Sequence, residues 1–279
     1  MYDIEARMHE HEQRRITIQA ISVPPPFFHY TLEPGLAAAF ARIINDALLA
    51  AVGAYPGRAV ALSTLPLQDP TAAVAELERT MQDPACRGIE IGTNINGRDL
   101  DEPELEPVWA AAERLGAFIF VHPERVAAAD RLGRYYLRNF IGNPLDTTIA
   151  IASLVFSGVL ARYPRLKLCF AHGGGFAPYQ VGRFDHGWGK RSEPRVVIQQ
   201  APSVYVRRVY FDSILHNPEA LAYVVRKFGA DHVLLGSDYP FDMGPDDPVA
   251  DVEAIPDLTD ADRRTILGAS AARLLGIQP

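Results

Sequence analysis

At 279 residues, 48% apolar and 22% charged, the chain has the composition of a globular enzyme and not that of a disordered or fibrous protein. Its net charge of -7, with no local basic run to reverse it, removes any electrostatic case for nucleic acid or an anionic membrane. A small-molecule substrate is the expected partner.

The opening Met1-Tyr2-Asp3-Ile4-Glu5 is acidic and has no apolar signal region. No stretch of about 18 apolar residues reads as a membrane span. Residues 5–15 are polar and helix-prone, and the first strand is expected at 16–23, where Ile-Thr-Ile-Gln-Ala-Ile-Ser-Val runs into Pro24-Pro25-Pro26. Three missing amide donors stop ladder pairing there. A helix over 33–54 follows, with Leu36, Phe40, Ile43, Ile44, Ala47 and Leu48 on one stripe. Next come a strand at 59–65, a helix at 71–81, a strand at 88–91 and a helix at 104–115 stopped by Gly116. The alternation continues with a strand at 117–122, a loop around Gly142-Asn143-Pro144, a helix at 146–162, a strand at 167–171 and a helical stretch to about residue 188. Residues 190–203 read as loop; a strand at 206–211, a helix at 219–228, a strand at 232–235 and a helix at 260–275 complete the series. Cys86 and Cys169 are too few and too far apart for a disulfide framework, so a reducing cytoplasm is the expected location.

Strands separated each time by one helix imply a parallel sheet, because right-handed crossovers return every strand in the same direction. An open doubly wound sheet and a closed TIM-like (β/α)8 barrel both satisfy that rule. The barrel is preferred because metal-binding residue types follow strands spread along the chain, and closure brings such strand ends around one mouth. No G-x-G-x-x-G loop supports the open alternative. One domain over residues 1–279 is expected.

The strand ends carry the chemistry. They read Val121-His122-Pro123, Ala171-His172-Gly173-Gly174-Gly175 and Ser237-Asp238-Tyr239-Pro240. A single histidine after an apolar strand is more often structural than a ligand. Two imidazoles and a carboxylate at three strand ends instead suit a divalent ion such as zinc, whose open position lowers the pKa of bound water.

His122-Pro123, the run from Cys169 to Gly175, and Leu235-Gly236-Ser237-Asp238-Tyr239-Pro240-Phe241 resemble the signature segments of aminocarboxymuconate-semialdehyde decarboxylase and its relatives in the amidohydrolase superfamily. The similarity extends through Ser63-Thr64-Leu65-Pro66-Leu67-Gln68, Gly88-Ile89-Glu90-Ile91-Gly92 and the 144–165 helix. This resemblance implies a carbon–carbon lyase that decarboxylates a small unsaturated or aromatic carboxylic acid. His122 and Asp238 would be metal ligands, with Asp238 also part of the catalytic set, and His172 the general base. Arg183 matches an arginine that reaches a neighbouring subunit's site to bind a carboxylate, so a homodimer is implied; by itself it reads as a helix-surface ion pair. A hydrolase of an ester, lactone or amide uses the same activated water.

The family pattern also includes a first barrel strand with a His-x-His pair, and no such strand precedes residue 16. His9-Glu10-His11 imitates the pair on a helix-prone segment, where residues two apart face different directions, and is expected to be a solvated helix end. The absent strand raises a further reading, an impaired barrel serving as a binding or assembly subunit. Glu124 stands where the decarboxylase carries an aromatic residue, a departure that bears on the exact substrate. Asp212, at a strand end, reads as a substrate contact or a structural hydrogen-bond partner.

Overall fold

The computed structural model describes residues 3–277. Met1 and Tyr2 of the acidic opening, and the last two residues of the expected 1–279 domain, lie outside the described residues. In chain order the elements are α1 (Ile4–Gln13), β1 (Gln19–Ser22), α2 (Pro34–Gly53), β2 (Ala59–Ser63), α3 (Pro70–Thr80), β3 (Cys86–Gly92), a short hairpin of β4 (Asn94–Ile95) and β5 (Arg98–Asp99), and α4 (Glu106–Leu115). Then follow β6 (Phe118–His122), α5 (Asn143–Phe156), α6 (Val159–Arg162), β7 (Lys167–Phe170), α7 (Ala177–Lys190), α8 (Pro202–Val206) and β8 (Tyr210–Asp212). The series ends with α9 (Pro218–Phe228), β9 (Val233–Leu234), α10 (Pro248–Glu253), α11 (Asp260–Arg264) and α12 (Ser270–Leu275). Helix starts follow side-chain caps: Asp3, Asp69, Asn217 and Asp247 each accept first-turn amides.

The main sheet is parallel, with strand order β1-β2-β3-β6-β7-β8-β9, and it curls as a TIM-like barrel does. The curl shows in the interior cluster, where Val60 and Leu62 of β2 pack with Phe118 of β6, Cys169 of β7 and Leu234 of β9. Ile89, Ile91, Ile119, Val121, Leu168, Phe170, Phe211 and Val233 point the other way into the layer beneath the outer helices. Burial on both faces is why these strands read as continuous apolar runs. Leu274 and Leu275 join the interior cluster, and Lys167 Nζ donates to the Leu274 carbonyl at 2.9 Å, so the C-terminal helix closes the barrel's lower end.

Several expectations are corrected. The strand at 206–211 shrinks to Tyr210–Asp212, because Pro202 opens a helix that runs through Val206. Gly142-Asn143-Pro144 is helical rather than loop: a π-turn over Arg138–Gly142 runs into α5, and Pro144 occupies its first turn, where no amide donor is needed. Helix α2 is, by length and composition, long and apolar enough to cross a membrane, contrary to the reading that no such stretch exists. Here it lies against β2. Its Ala37, Ala41, Asn45, Leu49 and Val52 are buried, and Asn45 donates to the Thr64 carbonyl at 2.9 Å.

Among the described residues β1 and β9 each have one sheet neighbour, and α1 lies against both sides. Arg7 Nε donates to Gln19 Oε1 at 2.8 Å beside β1, and Met8 packs with Ile21 and Ala61. Beyond β9, the Tyr239 ring lies under the Arg7 and Arg14 guanidinium groups, its hydroxyl donates to Glu10, and Arg15 pairs with Asp247 and Glu253.

Candidate active site

Strand geometry places the candidate residues at one end of the sheet. His122 is the last residue of β6 and pairs in register with Gly92 at the end of β3. His172 lies two residues beyond β7, Asp212 closes β8, and Asp238 follows β9. His122, His172 and Asp238 are half-buried, whereas Asp212 and Glu90 are both only 3% exposed. In the sheet ladders Glu90 pairs with Phe120, Phe120 with Cys169 and Cys169 with Tyr210, so Glu90 sits one layer below His122.

The two imidazoles meet edge to face with centroids 4.9 Å apart. His122 Nδ1 lies 2.8 Å from the Pro123 carbonyl. A proton shared there fixes the tautomer whose Nε2 lone pair is free for a ligand. Burial pushes His122 down to about 4, partly offset by that hydrogen bond. Burial, with repulsion from His122 and His216, pushes His172 down to about 3. Both rings are neutral at pH 7. His172 Nδ1 is enclosed with no hydrogen-bond partner among the described residues.

The carboxylates are displaced in the opposite direction. Burial, with repulsion from Asp238, raises Glu90 to about 8, against a hydrogen bond from Ser22. Burial raises Asp212 to about 7 despite the Gly173, His172 and Ile214 amides that favour its charge, and Asp238 adds to the rise. Burial and then Asp242 raise Asp238 to about 6. Burial is the main cause of all three shifts, with Asp238 adding to those of Glu90 and Asp212, and a cation nearby would offset them. The donor chemistry of His122 and Asp238 therefore fits a divalent ion. No group of three or more His, Cys, Asp or Glu side chains among the described residues converges as a metal site.

The segment from His172 to Gly175 has positive φ throughout: 55°, 60°, 77° and 62°. A Cβ on Gly174 would stand 2.5 Å from the Phe211 ring, and one on Gly175 would stand 2.1 Å from the Pro144 carbonyl oxygen. The triple glycine thus lets the turn pack between β8 and α5. Asp146, in the first turn of α5, ties the segment after β3 to the loop after β6. It accepts from Thr93 Oγ1, from Asn94 Nδ2 at 2.9 Å and from the Ala127 amide at 3.0 Å.

Arg183 is exposed on α7 and forms no ion pair among the described residues, so the helix-surface pairing is not realised. His9 and His11 do not converge. His9 meets Gln13 on the surface, while His11 is 1% exposed, lies 4.5 Å from the Tyr239 ring and contacts the Arg7 carbonyl through Nδ1. The solvated-end expectation is therefore wrong for His11, because α1 turns that side toward the loop after β9. Glu124 is partly exposed, and its backbone carbonyl accepts from Arg138. Glu90 and Asp146 carried no role in the sequence reading. A lone carboxylate within the apolar Gly88-Ile89-Glu90-Ile91-Gly92 run was the available signal for the first.

Comparison with known proteins follows the same lines. The amidohydrolase family model matches residues 12–277. The 2-amino-3-carboxymuconate-6-semialdehyde decarboxylase of Dictyostelium discoideum is 36% identical over 279 residues, covering 100% of this chain and 78% of that protein. The crystal structure of 5-carboxyvanillate decarboxylase from Sphingomonas paucimobilis superposes with a TM-score of 0.90 at 26% identity, covering 98% of this chain and 83% of the other. A dihydroxybenzoic acid decarboxylase from Polaromonas sp. JS666, solved with manganese and an inhibitor, shares the fold at a TM-score of 0.89 and 24% identity, with coverage of 98% and 85%.

Proposed function

The chain belongs to the amidohydrolase family, in the branch of the aminocarboxymuconate-semialdehyde decarboxylases, and we propose that it decarboxylates a small unsaturated or aromatic carboxylic acid with the help of a divalent metal ion. The observation that carries this reading is the edge-to-face pair of neutral imidazoles, His122 and His172, at the sheet end where Asp212 closes β8 and Asp238 follows β9. His122, through Nε2, and the Asp238 carboxylate would hold the ion, and their nitrogen and oxygen donors suit zinc. When bound, the ion supplies Lewis acidity, polarising an oxygen ligand and offsetting negative charge as it develops.

The chain's own groups supply the rest. Neutral His172 takes up one proton from solvent and delivers it to the carbon that gives up its carboxylate, so each turnover consumes the one proton that replaces carbon dioxide. The carbon–carbon bond breaks with its electron pair left on that carbon, and carbon dioxide departs. Arg183, exposed and unpaired among the described residues, is the group we assign to binding a carboxylate across a homodimer interface. Phe176 and Tyr179 are also exposed near the start of the same helix. The two buried free thiols, Cys86 and Cys169, support a reducing, cytoplasmic setting.

The test is product analysis with metal content. The purified protein is offered 2-amino-3-carboxymuconate-6-semialdehyde, 5-carboxyvanillate and 2,6-dihydroxybenzoate, and carbon dioxide is measured against hydrolytic products of ester and lactone controls. His122→Ala and Asp238→Ala are expected to lose metal on dialysis and at least about 10²-fold of the rate, within the range that removal of a key polar group produces. Full metal retention by both variants would reject the assigned ligands. Hydrolysis without carbon dioxide release would reject the lyase.

A further inference from the structure

Asp212 has no part in the reaction as derived above, yet it occupies an unusual position. It ends β8, is 3% exposed, and lies close enough to the buried Cys169 thiol for its charge to help push that thiol up. Its Oδ1 accepts two backbone amides, Gly173 at 2.8 Å and Ile214 at 3.1 Å, while Oδ2 is enclosed without a partner among the described residues. Enclosing a carboxylate this way is costly, and a stability role alone does not explain it, since replacing buried charge by apolar groups is often neutral or stabilising.

What the carboxylate grips is the turn that carries His172. The residue ahead of the three glycines is a non-glycine at φ 55°. That conformation is strained for a residue with a side chain and persists only where surrounding contacts over-determine it. Within the turn, the Gly174 and Gly175 amides reach back to the Ala171 and His172 carbonyls at 3.1 and 3.0 Å, and these bonds set the tightness of the turn but not its direction. Direction needs an anchor outside it. Thr148 Oγ1 anchors the far end, accepting the Phe176 amide at 2.8 Å, and Asp212 anchors the near end at Gly173, immediately after His172. A carboxyl oxygen can accept there in either protonation state. Because the same oxygen also accepts the Ile214 amide, the ends of β7 and β8 are fastened through one atom.

We infer that Asp212 is a positioning residue: by accepting the Gly173 amide it fixes the left-handed turn that aims the His172 ring at His122, and it acts on the reaction only through that ring. The inference rests on the assignment of His172 to proton transfer. It requires no contact between Asp212 and the substrate or the ion.

The experiment compares the parent, Asp212→Ala, Asp212→Asn and His172→Ala. It follows carbon dioxide release from 2-amino-3-carboxymuconate-6-semialdehyde, metal content, and amide hydrogen exchange at Gly173. Asp212→Ala is expected to lose about 10²-fold in kcat, the scale of a misplacement of about 1 Å, with KM and metal content within about twofold and Gly173 exchanging faster. Asparagine keeps an oxygen acceptor, so Asp212→Asn should retain both the protection of Gly173 and most of kcat. If the alanine variant does not fold, the asparagine variant decides alone. Across the series, kcat follows Gly173 protection. A variant that loses kcat while Gly173 stays protected overturns the inference, as does one that loses protection and keeps kcat. A fully active His172→Ala would instead overturn the assignment of His172, whatever Asp212 does.

Discussion

Glu90 shows how one residue's surroundings decide its behaviour. It sits in an otherwise apolar strand, turned into the barrel one layer below His122, and burial lifts it from 4.5 to about 8. A carboxyl raised on folding contributes stability that is fully present below its unfolded value and is lost as pH rises through its folded value. Metal-stripped protein should therefore lose stability between about pH 5 and pH 8 on account of Glu90. Glu90→Gln is neutral throughout and should flatten that slope, making the variant the more stable form at pH 8 and above. Urea unfolding midpoints at pH 5.5, 7 and 8.5 measure it; parallel curves for parent and variant would refute it. His122 works in the opposite sense: lowered from 6.5 to about 4, it favours the folded state above the unfolded value, and that stability is lost as pH falls toward 4.

At the scale of elements, the turn after β7 and helix α1 illustrate two ways of placing a loop. The turn depends on the absence of side chains. Gly175→Ala would drive a Cβ to 2.1 Å from the Pro144 carbonyl oxygen at φ 62°, and backbone cannot yield as a side-chain end can. A cost of about 1–3 kcal/mol is expected from overpacking alone, read as a lower urea midpoint with reduced kcat; unchanged values of both would show that α5 shifts freely. Helix α1 works through contacts of mixed kinds. Arg7, His11 and Arg14 surround the Tyr239 ring next to Asp238, and Arg15 reaches Asp247 and Glu253. The exposed ion pairs contribute little singly. The packed ring and the buried Met8 hold the helix.

For the whole molecule, the distribution of exposed apolar groups predicts association. Tyr135, Tyr136, Phe140 and Ile141 are 80%, 54%, 52% and 42% exposed, and they lead into α5, against which the turn before Phe176 and Tyr179 is packed. Aromatic side chains gathered this way mark interfaces more often than solvated surface. Sedimentation velocity should find a dimer for the parent and a monomer for Phe140→Asp, with a raised KM if Arg183 acts across the interface. A dimer unaffected by Phe140→Asp would place the interface elsewhere.

The sequence by itself determined the seven sheet strands and their alternation with helices, the parallel sheet and the strand-end positions of His122, His172 and Asp238, but not the β4–β5 hairpin or helices α8 and α10. Those features depend on local patterning, with apolar runs ended by proline, glycine or a polar residue, and on a crossover rule that holds irrespective of contacts. Boundaries were less legible where proline opens a helix, as at Pro202 and Pro144, since the same residue also ends strands and loops. Only the tertiary structure decided that His11 is buried, that Arg183 stands without an ion pair among the described residues, and that Asp212 grips the His172 turn. Each depends on groups distant in sequence: His11 and Tyr239 are brought together by the sheet's curl, and Gly173 and Asp212 by the pairing of β7 with β8. Pattern along a chain carries the direction in which a side chain points, but its partners are supplied by long-range closure, and burial and pKa depend on those partners.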